Sequence, residues 1–163
     1  MIRGGRMLDS YPLDRFHGRG VLLDVRSGAA TPDVPNAGID DGCIVLLWTG
    51  LSDDQRAPDY YSRVPELPMD LVDGLIASGV KMVGVDAGSI DGEPFAIHQA
   101  LLSRGVLIAE NLVGLSAIAS RAESELAEFT VWALPLNLET EASPARVIAA
   151  FDPGAGVVSS LGD

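Results

Sequence analysis

Lysine is nearly missing from this chain. Of 11 Lys and Arg in 163 residues only Lys81 is a lysine, and they face 23 Asp and Glu. The formal net charge is −12 and the isoelectric point about 4.4. Such a surface repels phosphate backbones, so a nucleic-acid partner is not expected; the acidity reads as solvation rather than as a site. The lone cysteine, Cys43, excludes an intrachain disulfide and a zinc site built on several thiolates. Cys43 opens an apolar run and reads as a small core hydrophobe. No apolar run reaches the ~18 residues that a membrane span needs. The opening Met1-Ile2-Arg3-Gly4-Gly5-Arg6 has no apolar signal region behind its arginines. Together these absences predict a cytoplasmic globular domain with no membrane partner. Catalytic signatures are scarce too. Gly-x-Ser-x-Gly is absent, no Ser-His-Asp set is readable, and Gly18-x-Gly20 lacks the third glycine of a phosphate loop and precedes a strand.

What is present suffices for a core. Hydrophobic residues make up 47% and the mean hydropathy is positive, which excludes a disordered tail. A single domain over residues 1–163 is expected, with the glycine-rich tail 152–163 flexible. Val21–Val25 reads as a strand punctuated by Gly18 and Gly20, and Ala29–Asp41 as loop or short helical turn. The unbroken run Cys43–Trp48 suits a strand buried on both faces. Ser52–Pro65 is a polar, tyrosine-containing loop of the kind that borders sites. A helix is predicted from Pro68 to about Ser78, stopped by Gly79, and a second from Glu93 to Arg104, stopped by Gly105. Lys81–Val85 and Val106–Glu110 read as the strands that follow them, Leu115–Ala122 as a short helix, and Phe129–Leu134 and Ala145–Phe151 as a closing antiparallel pair. Strands after helices follow βαβ grammar. The fold class is therefore α/β: a single-domain sandwich with a mixed sheet.

Of the two histidines, His17 reads as an exposed loop residue. His98 sits on a helix that turns at Gly105 and returns as a strand ending in Glu110. The pair could converge on one ion, and imidazole with carboxylate suits zinc or manganese. Two ligands do not close a site, and on spacing alone a hydrogen-bonded helix histidine is the favoured reading of His98. Asp86, at a strand end, is expected to accept the N–H groups of Gly88 and Ser89 in an Asx-turn. Gly84, inside a strand, suggests close backbone approach. Core packing is the expectation for Trp48 and Trp132, although Trp48, Tyr60 and Tyr61 are also candidates to line a pocket for an aromatic substrate.

Several segments, in order, resemble one family. They are Pro12 to Asp24; Val45-Leu46-Leu47-Trp48-Thr49-Gly50, with Trp48 where a basic residue is usual; Gly79 to Asp91, similar to a Gly-Ile-Asp-x-x-Ser-Ile-Asp turn; His98 followed by Glu110-Asn111-Leu112; Ala133-Leu134-Pro135-Leu136; and Ser143-Pro144-Ala145-Arg146. Together they resemble the metal-dependent cyclase family, which includes bacterial kynurenine formamidases and isatin hydrolases, over its C-terminal three-quarters. The resemblance implies that His98 and Glu110 are metal ligands, for zinc or manganese. It implies hydrolysis of a small amide or cyclic amide, arylformamidase-like (N-formylkynurenine to kynurenine, in tryptophan catabolism), with a small-molecule substrate; a homo-oligomer is expected separately, from the sheet edge that an incomplete domain leaves exposed. The upstream motif His-x-Gly-Thr-His-x-Asp-x-Pro-x-His, which supplies that family's other ligands and its general-base histidine, has no counterpart here. Relative to the family the domain is therefore N-terminally incomplete, no catalytic base can be assigned, and the chain as written is expected to be inactive or impaired. A non-catalytic binding or assembly module of the same fold, or an accessory cyclase in a biosynthetic pathway, are the alternatives.

Overall fold

The computed structural model describes residues 5–27, 32–125, 128–151 and 158–160. The elements run β1 (His17–Asp24), β2 (Ile44–Trp48), α1 (Met69–Ala77), β3 (Met82–Val85), α2 (Ala96–Ser103), β4 (Leu107–Ala109), α3 (Leu115–Glu125), β5 (Phe129–Pro135), β6 (Ala145–Phe151) and β7 (Val158–Ser160). Among the described residues the seven strands form one sheet of order β4-β3-β2-β1-β5-β6-β7. The β4 to β1 half is parallel, and β5 joins β1 antiparallel and begins an antiparallel half. The expected mixed α/β sheet is the one observed.

The apolar run in β2 explains the layering. Val45 and Leu47 point to one face, where Leu71, Val72 and Leu75 of α1 and Ile97 and Leu101 of α2 cover them. Ile44 and Leu46 point to the other, against Leu115 and Ile118 of α3 and Phe129 and Val131 of β5. A strand covered on both faces has no polar side to alternate with. Each fully buried Val, Leu or Ile contributes about 1.5–3 kcal/mol. No helix among the described residues is long and apolar enough to cross a membrane.

Both helices before the parallel strands end in the same way. Gly79 (φ 74°) and Gly105 (φ 73°) take left-handed backbone. Val80 N–H then reaches the Leu75 carbonyl and Val106 N–H the Leu101 carbonyl, with Gly79 and Gly105 bonded one turn inside. This is the Schellman stop, and it aims the chain straight into β3 and β4. Gly84 in β3 has the predicted close approach: an added Cβ would lie 2.7 Å from Leu112 Cδ1 and Leu46 Cδ2.

Several expectations need correcting. β1 begins at His17, so His17 is a half-buried strand residue, stacked on Trp132 at 4.5 Å, rather than a loop residue. Trp132 is 39% exposed and lies outside the core, because it points to the β5 face opposite Phe129 and Val131. The second helix starts at Ala96, since Glu93-Pro94 precedes a left-handed Phe95 (φ 61°). Within the tail expected to be flexible, residues 158–160 pair with β6 as β7; residues 152–157 and 161–163 lie outside the described residues.

Candidate functional site

Asp86 is the fully buried charged residue among those described. It does not form the expected Asx-turn. Its Oδ1 accepts the N–H (2.6 Å) and hydroxyl (2.7 Å) of Thr49. Its Oδ2 accepts the Gly50 N–H (3.0 Å) and the Ser52 hydroxyl (3.1 Å). A buried carboxylate needs donors on both oxygens, and the turn after β2 supplies them, tying the ends of β2 and β3 together. This leaves the next residues, Ala87 to Asp91, free to cross toward β4. There Asn111 N–H donates to the Ala87 carbonyl (2.8 Å) and Leu112 N–H to the Val85 carbonyl (3.1 Å).

That crossing brings Ser89, Ile90 and Asp91 against Glu110. Glu110 Oε1 accepts the Ile90 N–H at 2.7 Å and the Ser89 hydroxyl at 3.1 Å. From the facing helix, His98 places Nε2 3.3 Å from the same oxygen. The other ring nitrogen, Nδ1, is bonded to Asp91 Oδ1. Asp91 Oδ2 takes the Ile97 N–H at 2.6 Å, so one carboxylate caps α2 and grips its histidine. Phe95 stands edge-on to the His98 ring at 5.8 Å. The histidine and Glu110 side chains are 23% and 30% exposed, and Asp91 only 12%. The pair can therefore meet a ligand while Asp91 is withdrawn behind it.

His98 and Glu110 lie on the wall of a cavity of about 700 Å³ that is lined by β4 and also by Ala133 and Pro135 of β5 and Ala145 and Val147 of β6. The rest of its lining is mainly apolar, including Tyr11, Phe16, Met82 and Leu107, with Arg6 also on the wall. Its size and its few polar groups fit a small-molecule site. Trp48, Tyr60 and Tyr61 are not among the residues lining it. Trp48 lies under the Arg26 guanidinium at 3.7 Å. Tyr61 is largely exposed and packs on Gly88. Tyr60 is buried and donates its hydroxyl to Asn111 Oδ1 at 2.9 Å, and so reaches the cavity through Asn111, which does line it. Burial, then the nearby charges of Asp86 and Tyr61, hold the Tyr60 phenol above its ordinary range.

The donor pair fits a metal ion in two respects. With ligand distances of about 2.0–2.2 Å, two donors on one tetrahedral zinc stand roughly 3.4 Å apart, close to the 3.3 Å between His98 Nε2 and Glu110 Oε1. Nitrogen and oxygen donors also suit zinc or manganese. Among the described residues no group of three His, Cys, Asp or Glu is placed to hold an ion, so the pair supplies only part of a coordination shell. The pairing of His98 with Glu110 is legible in the sequence, whereas the role of Asp91 in holding the imidazole emerges from the structure. The available signal was a carboxylate just before a helix that starts late, after Pro94.

Residues 1–92 match the model of the Cyclase family. The chain is 34% identical over 155 residues to the kynurenine formamidase of Salinibacter ruber, covering 90% of this chain and 68% of that one. It is 37% identical over 108 residues to an uncharacterized protein of Methanocaldococcus jannaschii, covering 65% of this chain and 53% of the relative. Against these relatives the chain spans about half to two thirds of their length. Among solved structures, one described as a potential metal-dependent hydrolase with cyclase activity matches with a TM-score of 0.69 and 27% identity, over 93% of this chain and 73% of that one. Isatin hydrolase A from Labrenzia aggregata shares the fold, with a TM-score of 0.70 at 22% identity, over 88% of this chain and 64% of that one.

Proposed function

Because the chain belongs to the Cyclase family, we propose that the cavity beside β4 belongs to a metal-dependent hydrolase of small amides, with an aryl formamide such as N-formylkynurenine as the substrate class. The observation that carries this reading is the convergence of His98 Nε2 and Glu110 Oε1, 3.3 Å apart, on the wall of a largely apolar cavity. The relative named kynurenine formamidase supports the choice of substrate class.

In this reading His98 and Glu110 would hold a zinc or manganese ion as part of its coordination shell. When bound, such an ion supplies Lewis acidity and a nucleophile usable near neutral pH. The residues of this chain do the rest. Ile90 N–H and the Ser89 hydroxyl hold the Glu110 carboxylate in place. Leu107, Met82 and Phe16 offer an aryl ring a dry wall, and exclusion of water there strengthens every polar contact at the reacting carbonyl.

Hydrolysis of N-formylkynurenine, with isatin as the competing substrate, tests the reading. Turnover is expected to be slow, to require added zinc or manganese, and to vanish in His98→Ala. Turnover unaffected by chelation or by that substitution would count against it. One observation favours a second reading, a binding module of the same fold: no three metal-binding side chains are grouped among the described residues. No zinc uptake at His98 together with no hydrolysis of either substrate would support that reading, and tight stoichiometric zinc binding at His98 would count against it.

A further inference from the structure

We infer that Asp91 is a positioning residue that fixes His98 as the Nδ1–H tautomer, so that the lone pair of Nε2 faces Glu110. The inference rests on the metal reading above for its purpose but not for its test. Two bonds carry it. Asp91 Oδ1 is bonded to His98 Nδ1, while Asp91 Oδ2 accepts the Ile97 N–H at 2.6 Å and, more weakly, the His98 N–H at 3.4 Å. An ionised carboxylate only accepts, so the ring nitrogen facing it must carry the hydrogen. In the neutral ring the lone pair is then left on Nε2, 3.3 Å from Glu110 Oε1. Two electron-pair donors facing each other at that distance repel unless a proton or a metal ion is shared between them. The arrangement is thus poised to take a metal ion, and a carboxylate behind a ligating imidazole also raises its basicity.

The geometry predicts an unusual effect for Asp91→Asn, a change of one atom. The N–H groups at the start of α2 still require an acceptor, so the amide oxygen stays on Ile97. The amide NH₂ is then turned toward His98 Nδ1. That nitrogen must become the acceptor, and Nε2 takes the hydrogen. The ring keeps its place but presents N–H where the lone pair had been.

Long-range ¹H–¹⁵N correlation spectra of the metal-free full chain report the tautomer directly, with His17 as internal reference. Expected is an Nδ1–H pattern for His98 in the wild type and an Nε2–H pattern in Asp91→Asn. Zinc affinity should fall about 10–100-fold in the variant, whereas Asp91→Glu, which restores an accepting carboxylate, should recover part of it. An Nε2–H pattern in the wild type, or the same pattern in both proteins, would overturn the inference. The wild-type spectrum decides the matter even if the variant does not fold. A wild type with the expected ring pattern that takes up no zinc keeps this assignment and overturns the metal reading instead.

Discussion

Glu110 accepts the backbone N–H of Ile90 at 2.7 Å, across 20 residues of sequence. The bond fixes the side chain just after β4 to the loop that leaves β3, so Glu110 is oriented by backbone as well as by the Ser89 hydroxyl. Glu110→Gln can keep this bond, because an amide oxygen still accepts. Its stability, from urea unfolding, should stay within about 1 kcal/mol of wild type. Its zinc affinity should fall by more than the roughly 10–100-fold seen when only a ligand's hydrogen-bond partner is lost. A large loss of stability with unchanged zinc binding would make Glu110 a structural residue.

Asp86 is the strut on which this loop depends. Asp86→Ala leaves the N–H groups of Thr49 and Gly50 without their acceptor in a buried place. The expected cost is about 3 kcal/mol, read from denaturant unfolding. A loss below about 1 kcal/mol would mean that water replaces the carboxylate without difficulty.

Tyr60 gives a pH signature. Its phenol is held above the ordinary 10.0, first by burial and then by the charges of Asp86 and Tyr61. A raised folded-state value means that the folded protein keeps this proton longer than the unfolded chain does. The stability it contributes is complete below pH 10.0 and is lost as pH climbs from there through the folded value. Tyr60→Phe should cost about 1 kcal/mol at neutral pH, through the lost bond to Asn111, and should flatten the alkaline decline. An unchanged alkaline slope in unfolding measurements would contradict this.

Gly84→Ala should destabilise the protein by about 1–3 kcal/mol, the range typical of overpacking. The added methyl meets Leu112 and Leu46 at 2.7 Å on the α3 side of the sheet. Thermal unfolding equal to wild type would show that these two leucines move aside freely.

Much of the scaffold could be read from local pattern. Gly79 and Gly105 announced the two helix stops, and the run Cys43–Trp48 announced a strand covered on both faces, because each signal is local. The site was legible only in part. His98 and Glu110 lie on consecutive elements joined by a short turn, so their convergence could be proposed. The bond from Asp86 to Thr49 joins residues 37 apart, and no periodicity encodes it. Asp91 stands in an irregular loop, where a carboxylate looks like any other acidic surface residue. Trp132 misled for a different reason. A strand alternates its faces, and the apolar sequence of β5 did not show that one of them is open.

The most direct test of the central claim is a zinc titration of the ¹⁵N-labelled protein followed by NMR. The account predicts saturable changes at His98 Nε2 and around Glu110, with His17 unmoved and with the response lost in Glu110→Gln. An unperturbed His98 at millimolar zinc, or equal shifts at His17 and His98, would contradict it.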